Sequence, residues 1–224
     1  MGENATKAVF DATASTYDRD RTKLIPGADQ FYGWALRLIP AGTKRILELG
    51  AGSGLFTALI RRAFPQARIH LIDFSEPMLA RARERLGDDA LLSWQTGDYL
   101  QAEFPTGLDA VVTALSVHHL DNDDKRALIR RVYAALRPGG VFVNADQVLG
   151  PTPSLEERYR QAWLEDVRSL GASAHQIEES LLRQREDRCA QVKDQLIWMW
   201  EAGFKDADCW YKNGRFAVLS GSRS

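Results

Sequence analysis

The sequence predicts an α/β protein built on a doubly wound, mainly parallel sheet, and three observations carry that prediction. Ile46, Leu47 and Leu49 form a short apolar run that leads straight into Gly50, Gly52 and Gly54, and Leu55 to Ala63 continues as a helix. Strands and helices then alternate as far as Ala145, the pattern of right-handed βαβ crossovers. Finally, Asn213-Gly214 stands between two apolar runs, which signals a hairpin, so the sheet ends in an antiparallel pair.

Taken in order, Pro26-Gly27 breaks the chain before a helix from Ala28 to Leu38, in which Phe31, Trp34, Ala35 and Leu38 recur at helical spacing. Pro40-Ala41-Gly42 ends it and feeds the first strand. Ala67 to Asp73 forms a second strand, after which Ser75 caps a helix with Pro77 in its first turn. Ala90 to Gln95 and Leu108 to Leu115 are the third and fourth strands. Asp121 or Asn122 caps a helix from Asp123 to Leu136, Arg137-Pro138-Gly139-Gly140 stops it, and Val141 to Ala145 is the fifth strand. Beyond Gly150-Pro151-Thr152-Pro153, Ser154-Leu155-Glu156-Glu157 has the form of a capping box. It opens a helical block that runs to Ala202 with a break near Gly171-Ala172-Ser173, followed by strands at 207–211 and 215–220. The expected organisation is a helical arm or lid (1–40), a ligand-binding core (41–150), a helical insertion over the substrate pocket (151–190), and a closing helix and hairpin of the same core (191–224).

Composition narrows the function. Among 224 residues, 29 basic and 30 acidic side chains leave a formal net charge of −1, so no field favours a nucleic-acid partner. No apolar run is long enough to span a membrane, and the first residues lack the apolar centre of a signal peptide, so the expected address is the cytoplasm. Cys189 and Cys209 stand in no metal or redox spacing and read as reduced thiols. A homodimer is compatible with the sequence, which does not fix the assembly.

The glycine turn carries the chemistry. Glycine allows positive φ and close approach of a ligand to the backbone, and the turn ends at a helix N-terminus whose N–H groups face outward. A nucleotide-like or anionic ligand is implied. Asp73, about 20 residues past the glycines at a strand end, has the position of an acid that accepts ribose hydroxyls. Met78, one turn into the next helix, offers a thioether to an adenine face.

A dinucleotide dehydrogenase would carry Gly-x-Gly-x-x-Gly and continue in parallel units. This chain instead resembles the class I S-adenosylmethionine-dependent methyltransferases. Glu48-Leu49-Gly50-Ala51-Gly52-Ser53-Gly54 is similar to the family's first motif, Asp73-Phe74-Ser75-Glu76-Pro77-Met78-Leu79 to its second, and Gly97-Asp98-Tyr99 to its third. Arg137-Pro138-Gly139-Gly140 is similar to its turn into strand five. The resemblance implies a Rossmann-like seven-stranded sheet of order 3-2-1-4-5-7-6 with the last strand antiparallel, and S-adenosyl-L-methionine as cofactor with S-adenosyl-L-homocysteine as product. It also implies that Gly50, Ala51 and Gly52 approach the methionine part, Asp73 holds the ribose, and Phe74 and Met78 flank adenine. Asp98 and the Tyr99 backbone would then read the adenine edge, and the Leu115 carbonyl would face the ammonium. Tyr17 and Arg21, in the arm's Tyr-Asp-x-x-Arg pattern, would pack on the cofactor and pair with its carboxylate.

Methyl transfer is an in-line displacement, so the enzyme's task is to place a nucleophile about 3 Å from the methyl and exclude water. His119 is the first candidate for substrate contact or general base and Asp146 the second, because both follow strand ends. Tyr159 and Trp163, four apart, are expected to face the acceptor together. A metal held by His118, His119 and Asp146 is not expected, because adjacent histidines usually point apart. His70 reads as an ordinary strand residue and His175 as a helix start. The absence of an Asn/Asp-Pro-Pro-Tyr motif after strand four leans toward a small-molecule acceptor. Two other readings stay open. The segment Ile25 to Tyr32 and the tail from Ala202 to Trp210 are similar to carboxy-S-adenosylmethionine synthase, which would need a cation such as Arg183 or Arg185 for the extra carboxylate. A non-catalytic module that binds the cofactor to regulate a partner is the other.

Overall fold

A computed structural model describes residues 23–224. Tyr17 and Arg21 lie outside the described residues. Seven strands form one sheet: β1 (Arg45–Leu49), β2 (Arg68–Asp73), β3 (Leu92–Thr96), β4 (Leu108–Ala114), β5 (Leu136–Gln147), β6 (Lys205–Asn213) and β7 (Phe216–Ser222). Their spatial order is β3-β2-β1-β4-β5-β7-β6. The first five run parallel, and β7 inserts antiparallel between β5 and β6. Sheet class, order and hairpin are those the sequence predicts.

Alternation along the strands divides the core into two layers, since successive side chains face opposite sides. Ile46 and Val112 pack on one face, Leu47, Leu49 and Val111 on the other. The first face is covered by α1 (Ala28–Arg37), α2 (Leu55–Ala63), α3 (Glu76–Leu86), α5 (Pro153–Ser169) and α6 (Ala174–Arg183), through Phe31, Phe56, Leu79, Trp163 and Ile177. The second is covered by α4 (Asn122–Ala135) and α7 (Val192–Ala202), through Leu128, Val132 and Met199. Among the described residues no helix is long and apolar enough to cross a membrane.

Three local expectations need correction. The residues Arg137 to Gly140 do not precede β5 but lie within it: Gly139 N–H donates to the Arg223 carbonyl (2.7 Å) and Arg223 N–H to that of Gly140 (2.8 Å), so the ladder continues past an irregularity opposite Asp109. The cap of α5 is Thr152, whose hydroxyl accepts from Leu155 N–H (3.2 Å), with Pro153 at the first helical position where its fixed φ is already suitable. Glu157 is engaged by Arg160 and Gln161 and does not turn back to Ser154. The helical block also breaks a second time: after α6 and one 3-10 turn (Gln184–Glu186) the chain runs extended before α7. Thr152→Ala is therefore expected to cost about 1 kcal/mol in urea unfolding. Ser154→Ala should stay within about 0.5 kcal/mol of the parent, and the reverse ranking would restore the sequence-based cap.

Candidate functional site

The turn from β1 to α2 is held from beneath. Gly50 N–H and Ala51 N–H both donate to the Ile72 carbonyl (2.8 and 3.3 Å), and Arg85 Nε donates to the Ser53 carbonyl (2.8 Å). Gly50 has φ +69°, and a Cβ there would fall 2.0 Å from Ser116 Oγ. The first glycine is thus required by conformation and by space. Asp73, at the end of β2, is 5% exposed and already shapes the turn: Oδ2 accepts Gly52 N–H (2.8 Å) and Oδ1 accepts Ser75 N–H (2.9 Å).

Around this turn lies a cleft of about 540 Å³ lined by Tyr32, Glu48, Gly50, Ala51, Gly52, Asp73, Phe74, Met78, Leu115 and His119 among others. The fit to S-adenosyl-L-methionine rests on the glycine cradle, the carboxylate at the β2 end and the apolar pair Phe74 and Met78. Leu115, after β4, is a non-glycine residue at φ +54°, a conformation that costs free energy and is held here by its N–H bond to the Ala145 carbonyl (2.9 Å). Asp98 lies just past β3 and does not line the cleft; its Oδ1 accepts Leu100 N–H (2.8 Å). Tyr99 is buried, its hydroxyl 3.2 Å from Ser116 Oγ, and burial raises its pKa. Tyr32, missed in the sequence, reaches the cleft from α1 and stacks on Phe56 with ring centroids 5.6 Å apart. Its sequence signals were its place beside Phe31 in the helix of the expected arm and its position at the end of the Ile25–Tyr32 segment.

Glu48 is fully buried behind the turn, and burial, reinforced by the Asp73 charge, pushes its pKa up to about 8. Because the folded pKa lies above the unfolded one, the folded state holds the proton more tightly. Its stability then falls as pH rises from about 4.5 toward 8. Glu48→Gln in the cofactor-free protein should be near neutral at pH 4.5. It should gain progressively up to pH 8, by at most about 5 kcal/mol. Thermal unfolding across that range checks it, and a gain independent of pH would show that Glu48 is not held protonated.

A second cavity of about 620 Å³ adjoins the first, and Leu115 and His119 line both. Its wall includes Leu24, Ile25, His118, Gln147, Trp163, Arg183, Gln184, Asp187 and Phe216. Trp163 lines this wall, anchored by Nε1 donating to the Leu24 carbonyl (3.0 Å). Tyr159 does not. It packs outward on β6, with its ring centroid 4.1 Å from Lys212 Nζ and its hydroxyl 2.9 Å from the same atom, because one helical turn on α5 carries it past the cavity edge. Asp146 also differs from its expected role: it is 2% exposed and lies behind His118, whose Nδ1 is 2.5 Å from its Oδ1. The adjacent histidines do not point apart. A 3-10 turn, Val117–His119, brings their ring centroids to 4.0 Å. Asp187, from the extended run after α6, meets them, and burial raises its pKa. Burial likewise pushes the Cys189 thiol up to about 12, leaving it protonated and unreactive.

Comparison with known proteins agrees with this architecture. A family profile described as a methyltransferase domain matches residues 46–140. The chain is 34% identical over 119 residues to an uncharacterized methyltransferase of Mycobacterium tuberculosis, an alignment covering 53% of this chain and 56% of that protein. It thus spans a little over half the length of that relative. It is 28% identical to the carboxy-S-adenosyl-L-methionine synthase of Shewanella amazonensis across 97% of this chain and 93% of that protein. Among solved structures, a putative O-methyltransferase from Nostoc punctiforme superposes with a TM-score of 0.69 at 16% identity, covering 96% of this chain and 60% of the other, a likeness of fold alone. The profile match starts on the strand that feeds the glycine turn, and the strands around it stand in the order this group of enzymes shares. Residues 46–140 thus match a methyltransferase domain, and the sheet that contains them has the fold of the solved methyltransferase structures it resembles.

Proposed function

We propose that the chain transfers a methyl group from S-adenosyl-L-methionine to a small-molecule acceptor by in-line displacement, releasing S-adenosyl-L-homocysteine. The observation that carries this reading is the meeting of the two cavities at Leu115 and His119, one on the glycine turn and the other under α5 and α6. The cofactor, when bound, supplies an electrophilic methyl on a sulfonium. Gly50, Ala51 and Gly52 let the backbone come close to its aminoacyl end, and Asp73 accepts the ribose hydroxyls. Phe74 and Met78 sandwich the adenine, Asp98 and the Tyr99 backbone address its edge, and the Leu115 carbonyl takes the ammonium. His119, at the junction, contacts the acceptor and takes its proton where one must leave. Trp163 excludes water from the far side. The test is turnover of methyl-labelled cofactor with small-molecule extracts: label in a small-molecule product supports the reading, and tight binding without turnover would favour a regulatory module.

The nearly full-length likeness to a carboxy-S-adenosyl-L-methionine synthase, together with Arg183 on the acceptor wall, supports a second reading as a cofactor-remodelling enzyme. In that case the mass of the cofactor recovered from the purified protein would exceed the ordinary one by a carboxyl in place of a hydrogen.

A further inference from the structure

We propose that His118, His119 and Asp187 form a binding site for one divalent cation of the zinc type on the floor of the acceptor cavity. The cation's open position would take an oxygen of the acceptor. Asp187 Oδ1 lies 3.5 Å from His118 Nε2 and 3.4 Å from His119 Nδ1, and the three candidate ligand atoms all fall within 4.8 Å of one another. With metal bonds of about 2.0 to 2.2 Å, neighbouring ligands of a tetrahedral ion stand about 3.3 Å apart. The two imidazole–carboxylate spacings already have that length, which is too long for a good hydrogen bond.

The surroundings are those of a metal ligand shell. Asp146 Oδ1 sits 2.5 Å from His118 Nδ1, while Nε2 on the other side of the ring lies 3.5 Å from Asp187 Oδ1 and 3.3 Å from Gln147 Nε2. A buried carboxylate behind a histidine is the usual support for a metal-bound imidazole. Gln147 Nε2 steadies the other oxygen of Asp187 (3.2 Å), leaving Oδ1 toward the histidines. The backbone locks the two ligand-bearing segments together. Arg188 N–H donates to the His118 carbonyl (2.8 Å), and the buried Lys125 ammonium bridges the Leu120 and Arg188 carbonyls. The ligands come from the turn after β4 and the run after α6, so the pairing exists only in the folded chain.

Two imidazoles and one carboxylate leave a fourth position open. All three residues line the acceptor cavity, so that position faces the space where the acceptor binds. The favoured acceptor then presents a hydroxyl or phenol. Bound to the cation, R–OH releases its proton to water, and His119 then serves as a ligand in place of the base proposed above. The oxygen's electron pair forms the new bond to the methyl carbon, the carbon–sulfur bond breaks with its pair going to sulfur, and R–O–CH3, the thioether product and one proton result. This last clause rests on the methyl-transfer reading; the cation site does not.

The test uses the full chain stripped with a chelator and titrated with Co2+, without cofactor or acceptor. One cobalt per chain, with a visible ligand-field band that Zn2+ abolishes, is the expected result. Asp187→Asn and Asp146→Asn should each weaken cobalt binding by roughly 10- to 100-fold, with S-adenosyl-L-homocysteine affinity kept within about twofold as the check that the fold is intact. No stoichiometric cobalt, or cobalt uptake that neither variant changes, overturns the site. Cobalt bound as expected, with no methyl product in any extract, upholds the site and removes the methyl-transfer reading instead.

Discussion

Asp73→Ala is expected to weaken binding of S-adenosyl-L-homocysteine by roughly 100-fold or more in calorimetry. Each hydrogen bond from a ribose hydroxyl to a carboxylate is worth about 1.5 to 3 kcal/mol, and two are lost together. The substitution has a second cost within the protein, because Asp73 also accepts from Gly52 and Ser75 N–H in a nearly closed environment. Each donor left without a partner there costs about 1 to 3 kcal/mol of stability. Binding measured well below the unfolding temperature separates the two effects. Asp73→Asn keeps the shape and one acceptor, so it should fall between the parent and the alanine variant in affinity. Affinity unchanged in both would mean that Asp73 serves the turn alone and that the ribose is held elsewhere.

Gly50→Ala is expected to destabilise the fold strongly at any pH. The backbone at φ +69° costs an L-residue about 1 to 2 kcal/mol, and the new methyl would overlap Ser116 Oγ at 2.0 Å and Cβ at 2.4 Å. Together these should exceed about 3 kcal/mol in urea unfolding. The two costs can be separated. In the double variant Gly50→Ala/Ser116→Gly the nearest remaining Ser116 atom is Cα, at an ordinary 3.8 Å. That variant should recover the overlap and retain the backbone strain of about 1 to 2 kcal/mol, plus a small loss at Tyr99, whose hydroxyl neighbours Ser116 Oγ. A single variant as stable as the parent would show that β4 moves freely against the turn.

The sequence makes the cofactor half legible because its signals are local. Glycines next to an apolar run, an acid at a strand end and Asn213-Gly214 each act within a few residues, and β1, β2 and the hairpin form where those signals stand. The acceptor half was harder to read because its contacts are distant in sequence. Asp146 and His118 are 28 residues apart, and Asp187 reaches both histidines from a stretch whose charges resemble an exposed helix face. No periodicity marks that stretch as extended. What straightens it is the bridge from Lys125 and the bond from Arg188 to the His118 carbonyl, both invisible until the chain is folded. Tyr159 shows the opposite failure: its spacing from Trp163 put both on one helix face, but the cavity edge passes between them. The α5 cap was misplaced for a simpler reason, since Thr152-Pro153 and Ser154 offer two capping hydroxyls two residues apart and only one coincides with a proline at the first helical position.

The insertion of β7 between β5 and β6 has a consequence for synthesis. β5 leaves the ribosome with one edge paired to β4, and its other partner follows roughly seventy residues later, from Gln147 to Phe216. During that interval Val143 and Ala145, fully covered in the finished protein, sit on a strand whose second row of N–H and C=O groups has nothing to pair with. Such an edge is a template for other chains. Shortening the chain before Phe216 should therefore yield aggregates that still contain the glycine turn. α1 and α4, which pack against β5 and are made before it, can shield its faces in that interval but not its open edge.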